Sequence, residues 1–488
     1  MTGDSRRVPR NVQLVAFLLL LLAGVSLSAQ APAVAPADLD SYVERAMREF
    51  EVPGVGIALV KDGRVLAARG YGVRRLGEAA TVDAETLFAI ASNTKAFTAT
   101  ALGLLVEEGR LDWDAPVVNY LPGFELWDPY VTREITVRDL LVHRSGLGLG
   151  AGDLLWWPPS TYDRPEIVRR LRFIRPATSF RSHYAYDNVL YTVAGEVIQA
   201  VSGASWEDFV ASRIFGPVGM STSTVYRLSQ ETPGNIARAH ARVDGAVRPI
   251  APFVSGNTNP AGGINSNAWD MARWLLVQLD EGRLPDGSQL FSKDTARQLT
   301  TLVTPMPVHD PPAELAALRT DFRGYALGFN VLQYRGHKLV THTGVLPGYV
   351  SRVAMIPDLD LGVAVLTNQE SEAAHGAIAW HVLDQYIGAP AVDWIAGYKK
   401  LQTREQSENK SREQEQAAAR NASSRPSLPL SDYAGVYADA WYGEVGLTLE
   451  NGGLVIRFSH TPRPWSAISC TGSTTPSSPA GETGSCTP

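Results

Sequence analysis

The sequence predicts an α+β fold: one antiparallel sheet built from both ends of the main domain, flanked by a mostly helical region, plus a small partial β domain. Three observations lead there. Short apolar runs bracket an Asp-Gly turn near the N-terminus, helical periodicity and loops fill the middle of the chain, and strand-like runs return after Arg323. Strands at both ends with helices between them are best accommodated in one sheet whose faces the helices cover.

Residues 1–29 stand apart. Arg6, Arg7 and Arg10 precede an apolar run from Leu14 to Val25 that passes into Ser26, Ser28 and Ala29. This reads as a secretory signal, with cleavage expected after Ala29 and with Ser28 or Ala31 as alternatives. An uncleaved anchor is the rival reading, although the apolar core is short for a membrane span. Losing this segment takes the net charge from -6 to -8. A secreted or periplasmic protein with no stable membrane span after signal cleavage is expected.

The main domain is read as residues 38–398. Asp38 can cap a helix whose apolar positions Leu39, Tyr42, Val43, Ala46, Met47 and Phe50 recur at helical spacing. Val55 to Val60 and Val65 to Ala68 then flank Asp62-Gly63, a strong hairpin signal. A helical pattern runs from Phe97 to Leu105 and ends at Gly109. The late strands are Tyr325 to Val331, Lys338 to Thr341, Tyr349 to Ile356 and Leu361 to Thr367, with Ala373 to Ile387 as a closing helix.

Residues 399–428 turn polar and charged, the composition of a solvated linker, with a partly helical form as an option. Beyond them, residues 429–465 carry strand-like runs at Tyr433 to Tyr437, Val445 to Leu449 and Leu454 to Phe458. The tail, 466–488, is rich in Ser, Thr, Gly and Pro and reads as disordered. The excess of Arg over Lys also points to a GC-rich gene, in which a shifted frame can spell a strand-like aromatic string here, so a frameshifted tail is the second reading. Cys470 and Cys486, the two cysteines, both fall in this tail, and a domain of this size does not depend on their pairing.

Composition narrows the function. With 44 basic against 50 acidic side chains and no clustered basic run, a nucleic-acid partner is not expected. No phosphate-loop, dinucleotide or zinc-protease motif is present, and the nine histidines lack ligand spacing, so neither a cofactor nor a metal is expected. A small-molecule or peptide substrate remains, and the oligomeric state is not set by the sequence.

Three local patterns carry chemistry. Ser92 and Lys95 lie where an apolar stretch passes into a helix, and a spacing of three puts both side chains on one face of the first turn. There a serine oxygen attacking a carbonyl feels the positive helix end, while a desolvated lysine can hold or relay a proton. Taken alone the pair would equally be an N-cap and an exposed helix lysine, as the same spacing at Ser407 and Lys410 shows. Tyr186 and Asn188 lie where a loop enters another helix. A Tyr beside a lysine cation can lose its proton more easily and act as a base, and an Asn amide can orient an acyl group, although a loop Tyr with a capping Asn fits as well. His342, Thr343, Gly344 and Gly348 form the third, at a strand end where Gly344 allows a substrate backbone to approach the edge; a structural role for His342 is the alternative.

These motifs, in this order, resemble those of the penicillin-recognising serine hydrolases: class C β-lactamases, D,D-carboxypeptidases and related esterases and D-aminopeptidases. ITVRDLLVHRSGL from Ile135, PAGGINSNAWDMARWL from Pro260 and YALGFNV from Tyr325 match as well, so the resemblance covers Leu39 to Ile387. It implies that Ser92 forms an acyl-enzyme, that Lys95 and Tyr186 share the general-base and general-acid work, and that Asn188 positions the acyl side chain. It also implies an oxyanion hole of the Ser92 and Val345 N–H groups. One departure stands out: the lactam-specialised members carry Lys-Thr-Gly where this chain has His342, whose ordinary pKa of roughly 6.5 leaves it mostly neutral at pH 7. That looks more like the esterase and peptidase branches, so strong β-lactamase activity is not expected. The segment from Leu428 to Phe458 looks like the start of a lipocalin-like β domain, whose open edges would favour poor order or association.

The reading is a secreted serine hydrolase cleaving an ester, amide or D-amino-acid peptide bond. Its alternatives are a low-turnover or inactive ligand-binding homologue in the cell envelope and an interaction protein working through its C-terminal part. Trp156 and Trp157, beside Pro158 and Pro159, are read as lining an apolar acyl site, with cover of the core as the other option.

Overall fold

The computed structural model describes residues 34–226, 228–229, 231–419, 426–461 and 467–468. The expected signal segment, both cysteines and nearly all of the tail lie outside them. In chain order the main elements are helix α1 (Leu39–Phe50), strands β1 (Gly54–Lys61) and β2 (Arg64–Gly72), and helices α2 (Thr94–Glu107), α3 (Arg164–Arg170), α4 (Val189–Ser202) and α5 (Ala268–Leu279). Strands β3 (Thr304–Pro305), β4 (Arg323–Tyr325), β5 (Asn330–Tyr334), β6 (His337–Leu346), β7 (Tyr349–Ile356) and β8 (Leu361–Thr367) follow, then helices α6 (Glu372–Ile387) and α7 (Trp394–Ala419).

The eight strands form one antiparallel sheet in the order β2-β1-β8-β7-β6-β5-β4-β3. The two chain ends meet at the β1–β8 pair, where Val55 faces Thr367 and Lys61 faces Leu361. Helices α1, α6 and α7 cover one face, and α5 with the helical middle region covers the other. Burial on both faces explains the composition: every residue of β8, LGVAVLT, is buried, and so is every residue of β1 except Lys61. The α+β expectation is therefore met, and the hairpin turn has the expected chemistry. Asp62 and Gly63 take φ values of 51° and 69°, the left-handed pair that matches strand twist.

Several local expectations need correction. Asp38 precedes α1 but its side chain makes no capping bond; its Oδ2 lies 3.1 Å from Nε2 of His381, whose ring stacks on Tyr42 at 3.6 Å. The single strand expected over Tyr325 to Val331 is a hairpin. Tyr325 pairs with Asn330, and residues 326–329 turn between them, closed by the Ala326 N–H donating to the Phe329 carbonyl at 2.7 Å. This turn escaped notice because it is apolar: it packs on α2, where a β-carbon on Gly328 (φ 82°) would lie 2.8 Å from the Lys95 carbonyl oxygen. Strand β6 also runs five residues beyond the expected Thr341.

Most of the expected linker is helix. α7 extends to Ala419, anchored by buried Trp394 and Ile395, and its exposed remainder is held by pairs such as Arg404 with Glu408 at 2.9 Å. After it, β9 (Gly435–Asp439), β10 (Gly443–Glu450), β11 (Gly453–Phe458) and β12 (Ala467–Ile468) form a four-stranded antiparallel sheet in sequence order. Its last strand takes two residues from the segment expected to be disordered, because β11 offers them a free edge. This sheet docks beside α3. The Thr161 N–H donates to the His460 carbonyl at 2.8 Å, the Arg170 guanidinium donates to the Trp441 carbonyl at 2.9 Å, and the His460 ring stacks on Tyr162 at 4.0 Å. No helix among the described residues is long and apolar enough to cross a membrane.

Trp394 ties α7 to the domain through burial and through its indole N–H, which donates to Asp384 Oδ2 at 2.9 Å. Trp394→Ala is predicted to destabilise the protein by about 3–5 kcal/mol, measured as a drop in the denaturation midpoint of the full chain in urea.

Candidate active site

The site is built where four segments converge: the turn before α2, the loop before α4, the short helix Asn259–Gly262, and strand β6. Ser92 occupies a 3-10 turn, Ala91–Asn93, that leads directly into α2. The residue before it, Ala91, has φ 48°, a left-handed conformation that costs free energy in a non-glycine residue and that the sequence does not announce. Surrounding bonds over-determine the turn. The Ile90 carbonyl accepts from Ser351 Oγ at 2.7 Å, Asn93 Nδ2 donates to the same hydroxyl at 2.8 Å, and Ile90 N–H donates to the Ile264 carbonyl at 3.0 Å.

Lys95 stands one turn along and is wholly buried, so the reading as an exposed helix lysine fails. Its Nζ donates to Ser92 Oγ at 3.1 Å, Asn188 Oδ1 at 2.8 Å and the Ala261 carbonyl at 2.9 Å. The rings of Tyr186 and Tyr191 lie 4.8 and 5.1 Å away. Desolvation pushes its pKa down to about 7 against the attraction of Asp187 and Asp153. An amine in this state is partly neutral at neutral pH. Two of its hydrogens then satisfy Asn188 and Ala261, leaving the lone pair for the Ser92 hydroxyl.

Tyr186 reaches the same oxygen from the other side, its hydroxyl donating to Ser92 Oγ at 2.9 Å. The expectation that a neighbouring lysine would loosen the Tyr186 proton meets a stronger opposing effect. Burial raises this phenol well above its ordinary pKa, and Tyr184, Asp187 and Asp153 push the same way. Asn188 precedes α4 but its side chain does not cap the helix; Asp187 Oδ1 does so, accepting from the Leu190 N–H at 3.2 Å. The Asn188 amide is left free to face Lys95.

Strand β6 forms the opposite wall. Its pairing with β5 ends at Thr341 opposite Asn330, so residues 342–346 present an edge without a β5 neighbour to the cavity. Gly344 brings that strand against the serine turn: a β-carbon there would lie 2.1 Å from the Ile90 carbonyl oxygen and 2.9 Å from the Ser92 nitrogen. His342 is buried beside the cavity. Its Nδ1–H donates to the Thr343 carbonyl at 2.6 Å, which leaves Nε2 to accept from the Tyr325 hydroxyl at 2.8 Å. Burial, with Lys95 nearby, pushes its pKa down to about 3, so it contributes no charge. Thr343 and Val345 line the cavity, and Val345 is 49% exposed.

The cavity has a volume of about 320 Å³ and brings Ser92, Tyr186, Asn188, His342, Thr343 and Val345 to one surface. Trp156 lines it, whereas Trp157, 41% exposed, does not. Sequence reasoning missed Asp153, Tyr184 and Asn330 as site residues; Tyr184 lies two residues before Tyr186 and Asn330 within the YALGFNV stretch, whereas Asp153 belongs to no recognisable motif and comes to the site only through the fold. Among the described residues no group of three or more His, Cys, Asp or Glu side chains is placed to hold a metal ion.

Comparison with known proteins finds similar sequences and a similar fold. The family described as Beta-lactamase matches residues 39–386, and a domain of unknown function, DUF3471, matches residues 419–469. An unguisins hydrolase of Aspergillus violaceofuscus is 30% identical over 440 residues, 85% of this chain and 76% of its own length. Penicillin-binding protein 4 of Amycolatopsis lactamdurans is 27% identical over 350 residues, 68% of this chain and 86% of its own. The solved structure of the octameric penicillin-binding protein homologue from Pyrococcus abyssi superposes with a TM-score of 0.63 at 26% identity, covering 86% of this chain and 87% of that one.

The closeness of Gly344 to the serine turn yields a test. Gly344→Ala must push β6 away from Ser92, and a misplacement near 1 Å at a reacting centre lowers turnover by about 10²-fold. Circular dichroism should show the fold retained, and steady-state kinetics the loss.

Proposed function

The chain belongs to the beta-lactamase family and is a serine hydrolase, and from that premise we propose that it is exported and cleaves an ester, amide or D-amino-acid peptide bond through an acyl-enzyme on Ser92. The observation that carries the reading is the convergence of Lys95 Nζ and Tyr186 Oη on Ser92 Oγ, at 3.1 and 2.9 Å, beside an open strand edge. Export rests on the Arg-flanked apolar segment at the N-terminus.

In the proposed cycle neutral Lys95 takes the Ser92 proton as Oγ bonds to the substrate carbonyl carbon. The carbonyl oxygen becomes an anion held by the Ser92 and Val345 N–H groups. Tyr186, which keeps its proton in the free site, donates it to the leaving oxygen or nitrogen as that bond breaks, and recovers one from the Lys95 ammonium. Water then takes the leaving group's place, and the proton transfers run in reverse through Tyr186 to release the acid and restore Ser92. Asn188 keeps its amide oxygen on Lys95 and stands at the cavity surface where the acyl side chain would lie.

Among the described residues the cavity lining contains no Lys or Arg side chain, and His342 is neutral, so no cation there answers the carboxylate of a β-lactam. Neutral esters and amides are the favoured class, with the Trp156 ring as an apolar wall. The hydrolase relatives support this chemistry, and the unguisins in the name of one of them are said of that protein. The C-terminal sheet is read as a lipocalin-like β module, supported by its four antiparallel strands in sequence order.

Time-resolved intact-mass spectra of wild type and Ser92→Ala with p-nitrophenyl esters, nitrocefin and a D-Ala-D-Ala peptide test the reading. An adduct on Ser92 with turnover fastest for the ester is expected; an adduct that persists in Ser92→Ala overturns it. A pH series adds a second test. Lys95 is protonated below about 7 and cannot then act as the base, so kcat/KM should rise about tenfold per pH unit on the acid side and level off above about 7. A profile flat from about pH 5 to 9 removes Lys95 from that role.

A further inference from the structure

Asp153 belongs to none of the three motifs, yet it stands directly behind them. It opens a short turn, Asp153–Leu155, whose approach is tied to the Tyr186 loop by the Gly150 N–H donating to the Tyr186 carbonyl at 3.0 Å. From this mostly buried position Asp153 Oδ1 accepts two side-chain hydrogen bonds, from Trp156 Nε1–H at 2.9 Å and from Asn188 Nδ2–H at 3.3 Å. Those donors belong to the apolar wall of the cavity and to the amide that faces Lys95.

Resting on the serine-hydrolase reading above, we propose that Asp153 is a positioning residue that sets substrate selectivity and base strength by holding the Trp156 indole and the Asn188 amide from one carboxylate oxygen. An amide has a donor end and an acceptor end, and a carboxylate can only accept. Asp153 therefore forces Nδ2 toward itself and Oδ1 toward Lys95. Reversing the amide would set two donors against each other at Lys95 and two acceptors at Asp153. The same oxygen holds the indole N–H of this cavity-lining ring, which also packs edge-to-face with Phe253 at 5.8 Å.

The carboxylate also acts through charge. Asp187 and Asp153 both favour the Lys95 ammonium. The other titratable groups facing Lys95 are Tyr186 and Tyr191, which burial keeps protonated, and His143 and His342, which burial keeps neutral. Removing the Asp153 charge while keeping an acceptor should make Lys95 easier to deprotonate. A purely structural part for Asp153 would leave that equilibrium where it is.

The test compares full-length wild type, Asp153→Asn and Asp153→Ala, with a separate aliquot of each checked for fluorophosphonate labelling at Ser92 and the unlabelled protein used for kinetics. In Asp153→Asn the acid limb of kcat/KM should move to lower pH by about half a unit, a threefold gain in relative rate on the acid side. In Asp153→Ala the preference for a long-chain p-nitrophenyl ester over the acetate should fall about tenfold as the indole loses its anchor. Variants that label at Ser92 but keep both the wild-type acid limb and the wild-type selectivity overturn the proposal. If Asp153→Ala fails to fold, the acid limb of Asp153→Asn decides alone. Wild type that does not label at Ser92 refutes the underlying hydrolase reading instead, so the two failures are distinguishable.

Discussion

Everything at the centre of this molecule follows from burying one amine. A lysine ammonium withdrawn from water is costly, and it is tolerated here because each of its three hydrogens meets an oxygen: Ser92 Oγ, Asn188 Oδ1 and the Ala261 carbonyl. Those oxygens come from three separate segments, so satisfying Lys95 obliges the start of α2, the loop before α4 and the short helix at Asn259–Gly262 to meet at one point. The incomplete compensation is what makes the group useful. A lysine in water would stay charged, whereas desolvation, only partly offset by these oxygens and by Asp187 and Asp153, brings this one near the middle of its titration at neutral pH.

The sheet is the second half of the arrangement. An all-antiparallel sheet closed from both chain ends puts β6 next to the serine turn, and the early departure of β5 leaves its last five residues facing the cavity. Gly344 lets backbone meet backbone there, and the strained φ of Ala91 turns Ser92 toward the open edge. Strain at that residue is held by the bonds from Ser351 and Asn93 and by the ladder to Ile264, so the rigidity of the sheet supports the geometry of the site.

Much of this was legible along the chain. Apolar runs buried on both faces gave away β1, β7 and β8, and the Asp-Gly pair gave away its hairpin, because those signals come from neighbouring residues. The 326–329 turn was hidden because its apolar residues answer to α2 rather than to solvent. The helix after Trp394 was legible only as a partly helical linker because its exterior is polar, while two buried residues at its start do the anchoring. Asp38 looked like a cap because its type and position fit, but its carboxylate instead lies beside a histidine 343 residues away in sequence.

What the sequence determined by itself is the fold class, the five longest strands of the main sheet, and which residues have the chemistry to form a nucleophile, a proton carrier and an amide clamp. Residue type and local spacing are sufficient for that. The tertiary structure decided the protonation states and the orientations. Lys95 is lowered, Tyr186 raised and His342 neutralised by burial that depends on elements far away in the chain. Asn188 takes its orientation from Asp153, which no motif contains. Desolvation and hydrogen-bond direction are properties of a surrounding volume, and a volume exists only once the chain has folded around it.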